Sequence, residues 1–179
     1  MIKNERRVSL QITPCGLRDA QAISDVAIRS YKDFYLHLWH DGGNWYINYS
    51  FSRPIIENEL NDSNHAFFLV NDKEGPIGFL KLNIDKPLKG HELYNCIELE
   101  RIYLIKVATG KGYGHQAMDF CFDYAKSLKK DIIWLKAMDT SDAVGFYESL
   151  GFRRCDSLTL SFPQMKEEFR GMVVLMKRL

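Results

Sequence analysis

The densest group of chemistry-bearing residues is the stretch Thr109-Gly110-Lys111-Gly112-Tyr113-Gly114. Glycines at this density let main chain approach a ligand closely. Where such a stretch opens a helix, the unpaired first-turn amides and the positive dipole end favour a phosphate. The dipole alone contributes only about 0.3 to 2 kcal/mol, so recognition must come from the whole loop. A tight turn that binds nothing is the plainer alternative. A Walker loop is excluded, because Lys111 lies between glycines and neither Ser nor Thr follows it. Gly112-x-Gly114-x-x-Ala117 matches a loose dinucleotide fingerprint, with Asp139 as a ribose ligand, but only one clear βαβ unit accompanies it.

Two carboxylates, Glu98 and Glu100, stand two residues apart just before that stretch. On a regular strand they share one face. A carboxylate there could accept a proton, directly or through water, and attract a cation. A solvated face, or a salt bridge to Arg101 or Lys106, is the competing account. His37, His40, His65, His91 and His115 include no HExxH pair, so no metal site is expected. No GxSxG elbow or cysteine-centred signature points to a covalent route. Cys15, Cys96, Cys121 and Cys155 are widely spaced and read as free thiols.

Several elements must position these groups. Val8 to Thr13 alternates as a strand and stops at Pro14 and Gly16; from Asp19 a helix buries Ala22, Ile23, Val26, Ala27, Ser30 and Tyr31. The aromatic-rich stretch from Phe34 to Ser52, broken by Asp41-Gly42-Gly43-Asn44, reads as irregular, and a short helix is expected near Pro54 to Leu60. Ala66 to Val70 and Ile77 to Ile84 form a hairpin, and Tyr94 to Ile105 is the strand that carries the two glutamates. A helix starts near Gly112 and ends at Lys129-Lys130, cations that suit its negative end. Ile132 to Met138 is a strand buried on both faces, completing a βαβ unit. A short helix follows from Ala143 to Leu150, then strands near Arg153 to Ser161 and Met172 to Lys177. The order βα(α)βββαβαββ predicts an α/β (α+β) fold, a mixed sheet with helices on both faces, in one domain.

The glycine stretch, in its strand-loop-helix setting, resembles the Arg/Gln-x-x-Gly-x-Gly/Ala loop of the GNAT N-acetyltransferase superfamily. A second segment is similar to that family's Asn-x-x-Ala-x-x-Phe-Tyr and Gly-Phe signature, through Ala143, Phe146, Tyr147, Gly151 and Phe152. The resemblance covers nearly the whole chain and implies a mostly antiparallel central sheet and acetyl-CoA as cosubstrate. It places the CoA pyrophosphate on the main chain of Ala108, Thr109, Gly110, Lys111, Gly112, Tyr113, Gly114 and His115. The pantetheine arm falls on Ile102, Tyr103 and Leu104, with Thr140 and Phe146 also on the cofactor side. Thr109 and Thr140 depart from the family's Arg/Gln and Asn. The acceptor is an amine, and losing a proton from an alkylammonium of pKa about 10.4 costs on the order of 4 to 5 kcal/mol at neutral pH. By resemblance Glu98 or Glu100 is the base and Tyr147 the acid that protonates the leaving thiolate. Tyr147 filling the core is the plainer account. Leu99 to Leu104 and Val173 to Lys177 look similar to bacterial spermine/spermidine acetyltransferases, for which Tyr35, Trp39, Asp41, Trp45, Tyr46 and Tyr49 could wall an ammonium site. A polyamine, another small amine or a peptide N-terminus are the acceptors in view. The two departures keep a non-catalytic acyl-CoA-binding sensor as the alternative.

Composition narrows the partners. The 179 residues are 46% hydrophobic and carry a net charge of +1. That is enough chain for one core and leaves no basic field for nucleic acid. No apolar signal core or membrane-length run is present, so a cytoplasmic protein is expected, with no membrane partner. A homodimer is left open.

Overall fold

A computed structural model describes residues 10–179. In chain order the elements are β1 (Gln11–Pro14), α1 (Ala20–Phe34), α2 (Asn44–Phe51), α3 (Arg53–Leu60), β2 (His65–Asp72), β3 (Gly75–Asn83) and β4 (Cys96–Leu104). They continue with α4 (Tyr113–Ser127), β5 (Ile132–Met138), α5 (Ala143–Ser149), β6 (Arg153–Thr159) and β7 (Gly171–Arg178). The sheet order is β1-β2-β3-β4-β5-β7-β6. Every pairing is antiparallel except β4 with β5. This is the mixed, mostly antiparallel sheet expected. The expected first strand is met by β1; Val8, and the terminal segment before it, lie outside the described residues. No described helix is long and apolar enough to cross a membrane.

Adjacent strand residues point to opposite faces, and β2 uses this to hold both layers. Phe67 faces Lys81, which is ion-paired to Glu59 of α3, whereas Phe68 packs its ring edge against Phe120 and Tyr124 of α4. The α1–α3 layer and α4 therefore cover opposite faces. Helix α1 buries Ile23, Val26, Ala27, Ser30 and Tyr31 and leaves Asp25, Arg29 and Lys32 outside, as its periodicity predicts.

Two local expectations are corrected. The stretch from Phe34 to Ser52 is not irregular, since α2 occupies its second half. The Asp41-Gly42-Gly43 turn is the start of that helix, with the Asp41 carboxylate accepting from the amides of Gly43 and Trp45. That satisfies the first-turn amide of Trp45 and ties Asp41 into the helix start. The helix expected to end at Lys129-Lys130 closes at Ser127, and Lys130 turns inward to pair with Asp85 and Asn95. The turn is made by Lys129 in the left-handed region, at φ 55°.

What matters for the site is the junction of β4 and β5. Their parallel ladder holds only Cys96↔Ile132, Ile97↔Ile133 and Glu98↔Trp134. Beyond it β5 continues along β7 while Leu99 to Leu104 stay on β3, so the two strands part. On its β3 side, β4 carries a bulge: Leu82 opposes Leu99 and Lys81 opposes Arg101, leaving Glu100 as the extra residue. Bulges re-aim side chains; Glu98 and Glu100 still turn to one side, where Asn83 donates to both, and the extra residue brings Arg101 to that side as well. Close approach of β3 to β4 is secured by Gly78, where a Cβ would run into the Tyr103 carbonyl.

Candidate active site

The parting of β4 and β5 opens a cleft through the sheet, with a cavity at each end. The first, about 550 Å³, is lined by Ile102, Tyr103, Leu104, Ala108, Thr109, Gly110, Gly112, Tyr113, Gly114, His115, Phe146 and Tyr147, with Phe34, Tyr35 and Ala143. The second, about 610 Å³, lies under α1–α3 and takes in Glu59, Glu100, Arg101, Lys136 and a wall of aromatic rings. Tyr35, Ile102, Tyr103, Ala143 and Tyr147 line both.

The first cavity is built from main chain. Gly110 and Gly112 have φ of 74° and 75°, a region L side chains rarely enter. These two reversals carry the chain from β4 into α4, whose amides at Tyr113, Gly114 and His115 have no intrahelical acceptor, as the geometry of a first turn requires. The result is a concave group of N–H donors at a positive helix end, fitted to a diphosphate. Along the floor, the β5-facing edge of Leu99 to Leu104 has lost its strand partner and can pair with the amides of an extended chain. The glycine stretch and the Phe-Tyr segment meet directly: Phe146 packs on Gly114 and stands edge-on to His115 at 5.1 Å. Of the expected cofactor residues, the structure gathers all but two. Lys111 extends over the Tyr113 ring, 6.0 Å from its centroid, and Thr140 sits in an exposed turn outside both cavities. Asp139, the ribose ligand of the dinucleotide alternative, packs on Gly171.

The second cavity is built from side chains. Arg101 grips Glu59 with two prongs, at 2.7 and 3.0 Å, and lies 3.4 Å from Glu100. Lys81, only 2% exposed, reaches Glu59 at 2.9 Å and Glu100 at 2.8 Å. Asn83 donates through Nδ2 to Glu98 and Glu100, both at 2.8 Å. Glu98 is 1% exposed, with Lys136 Nζ at 2.9 Å. Burial opposes ionisation of Glu100, but Arg101 and Lys81, with hydrogen bonds from Lys81 and Asn83, outweigh it and hold the carboxyl below its usual range. Of the two salt-bridge partners in view for the glutamates, Arg101 is engaged, while Lys106 presents its amide to Asp33. Sequence reasoning missed Glu59, Lys81, Asn83 and Lys136; Lys81 and Asn83 alternate on the second strand of the expected hairpin, the one local signal for them.

Tyr147 sits where the cavities join. Burial raises its phenol well above the ordinary range, with Tyr35 and Cys121 adding to the effect, so it keeps its proton at neutral pH. Around it, burial likewise raises Tyr31, Tyr35 and Tyr103. The expected aromatic wall is present in Tyr35, Trp39, Tyr46 and Tyr49, with Trp45 stacked behind Tyr49 at 4.8 Å; Asp41 is absent from it, being the helix cap.

Comparison with known proteins agrees with this geometry. Residues 25–152 match the model of the Acetyltransferase (GNAT) family. An uncharacterized N-acetyltransferase in the pepI 3' region of Lactobacillus delbrueckii subsp. lactis is 32% identical over 91 residues. That alignment covers 50% of this chain and 53% of the relative, so the chain spans about half the length of the curated protein it matches. The paia N-acetyltransferase of Thermoplasma acidophilum, solved in complex with coenzyme A, superposes with a TM-score of 0.75 at 20% identity, over 96% of this chain and 99% of the other. A GCN5-related N-acetyltransferase of Rhodopseudomonas palustris gives 0.72 at 16%, over 96% of each chain. The spermidine/spermine N-acetyltransferase SpeG of Vibrio cholerae gives 0.65 at 17%, over 94% and 92%. At these identities the likeness is one of fold. The family match covers well over half of the sequence, and the chain belongs to the GNAT acetyltransferase family.

Proposed function

We propose that the protein is an acetyl-CoA-dependent N-acetyltransferase that acts on a primary amine by direct transfer. The observation that carries this is the junction of two cavities at Tyr147, one lined by main-chain donors and one by charged and aromatic side chains. A donor entering from one side and an acceptor from the other meet where Tyr147 and its neighbours Tyr35, Ile102, Tyr103 and Ala143 line both cavities. Acetyl-CoA supplies the activated thioester. The amides from Gly110 to His115 hold its diphosphate, the free edge of β4 at Ile102 to Leu104 aligns its arm, and Gly114 leaves room for Phe146 to close the wall.

The reaction forms an N–C bond and breaks a C–S bond. The ammonium gives up two protons overall, one balanced by the thiol and one released to solvent. Tyr147, protonated and central, delivers a proton to the departing sulfur. Glu100 borders the acceptor cavity and stays ionised; because its carboxyl is held below the usual range, it orients the ammonium and passes the proton on through water rather than retaining it. Glu98, buried against Lys136 and Asn83, holds that arrangement from behind.

Release of free thiol, followed with acetyl-CoA and a panel of amines, tests the reading, and amine-dependent turnover is the expected result. Tight CoA binding with no turnover across the panel would instead identify an acyl-CoA sensor. No rise in Tm with CoA would remove both.

A further inference from the structure

We infer that the acceptor is a monoamine carried on a large apolar or aromatic body, and that polyamines are poor acceptors. This rests on the acetyl-transfer reading and names the substrate class of the same site.

The charges around the acceptor cavity are balanced. The carboxylates lining the acceptor cavity are Glu59 and Glu100, and the lining cations are Arg101 and Lys136. Immediately behind them stand Glu98 and Lys81. Each of the three carboxylates is within 3 Å of a lysine or arginine nitrogen: Glu59 of Arg101 and Lys81, Glu100 of Lys81, Glu98 of Lys136. The network is neutral. A single ammonium arriving beside Glu100 meets that carboxylate directly and gives up its proton through it before attack. A second or third ammonium deeper in the cavity would be buried among carboxylates already committed to internal cations, and an uncompensated buried charge is costly. Asp41, the one other acid of the aromatic segment, caps α2.

The wall of the cavity is aromatic. Trp39, Tyr46 and Phe162 pack ring against ring along the cavity, with Trp39 stacked on Tyr46 at 4.8 Å. At its mouth Tyr49 is 55% exposed and Ile55 37% exposed. Large apolar side chains gathered at the rim of a concave site are covered by the apolar part of a ligand.

The test is calorimetric titration of CoA-loaded protein with phenethylamine, tryptamine and spermidine, alongside thiol release from acetyl-CoA with the same amines. An arylalkylamine should bind at least about tenfold more tightly than spermidine, since the latter must bury uncompensated charge. Equal or tighter binding of spermidine, or binding of none of the three, overturns the inference. If no amine is acetylated but the binding order holds, the transfer reading fails and the cavity assignment stands; if spermidine is the best-acetylated amine, the reverse applies. Substitution Arg101→Met removes one of the two cations on Glu59, leaves the network one positive charge short and should move the preference toward spermidine by about tenfold; the wild-type titrations decide the matter should that variant not fold.

Discussion

The two ends of the cleft are made of different material. On the donor side the working groups are backbone amides and a strand edge, contributed by one continuous run from Ile102 to His115. On the acceptor side they are side chains from α3, β3, β4 and β5, brought together from positions as far apart in the sequence as Glu59 and Lys136. A main-chain site depends on where the chain turns and is indifferent to many side chains. A side-chain network depends on every partner, because removing one leaves another buried and unpaired. The two ends should therefore respond differently to substitution.

The sharpest break between them is at their junction. Tyr147→Phe should lower kcat by about a hundredfold or more, the usual scale for a positioned acid, while the Kd for CoA from calorimetry stays unchanged. On the donor side, Gly112→Val forces a β-branched residue to φ 75°. That conformation costs at least about 1 to 2 kcal/mol, read by denaturant melts, and CoA affinity should fall by about tenfold or more. On the acceptor side, Glu100→Gln should reduce kcat/KM for the amine by about tenfold and leave CoA binding intact. The same variant separates the halves by pH. A carboxyl held below its unfolded value of about 4.3 adds stability above that pH, and the contribution is lost as pH falls through the lower folded value. Wild-type stability should thus decline below about pH 4.3, and Glu100→Gln should flatten that decline in acid melts. The smallest effect is expected at Thr109, whose hydroxyl donates to the Lys106 carbonyl at 2.7 Å within its own loop. Thr109→Ala should change CoA affinity by no more than about threefold, because the amides do the binding.

This division also explains what the sequence made legible. Glycines at Gly110 and Gly112, a helix face starting at Tyr113 and a buried strand from Ile132 are local features, readable by spacing, and each stands where it was expected. The acceptor network is nonlocal. Nothing near Glu59 in the sequence announces Arg101, and the bulge that brings Arg101 to the side of Glu98 and Glu100 comes from the mismatch between β3 and β4, which pairing alone reveals. Helix α2 was hidden for a related reason: its aromatic residues lack a clean helical stripe, and it is held by the Asp41 cap and by burial of Ile47 and Phe51. The placement of Thr140 in an exposed turn shows the limit of carrying a motif over position by position. The structure keeps the Phe146 and Tyr147 end of that motif in the cleft and leaves its first residue outside.

The central claim is that the amides opening α4 grip the diphosphate of a thioester carrier. Titration of CoA and of pantetheine, which lacks the diphosphate and nucleotide, against the same protein tests it most directly, with 3',5'-ADP controlling for the adenosine end. Pantetheine should bind about a hundredfold more weakly than CoA, 3',5'-ADP should not recover the difference, and Gly112→Val should weaken CoA alone. Pantetheine binding as tightly as CoA, with the variant binding both like wild type, would contradict the account.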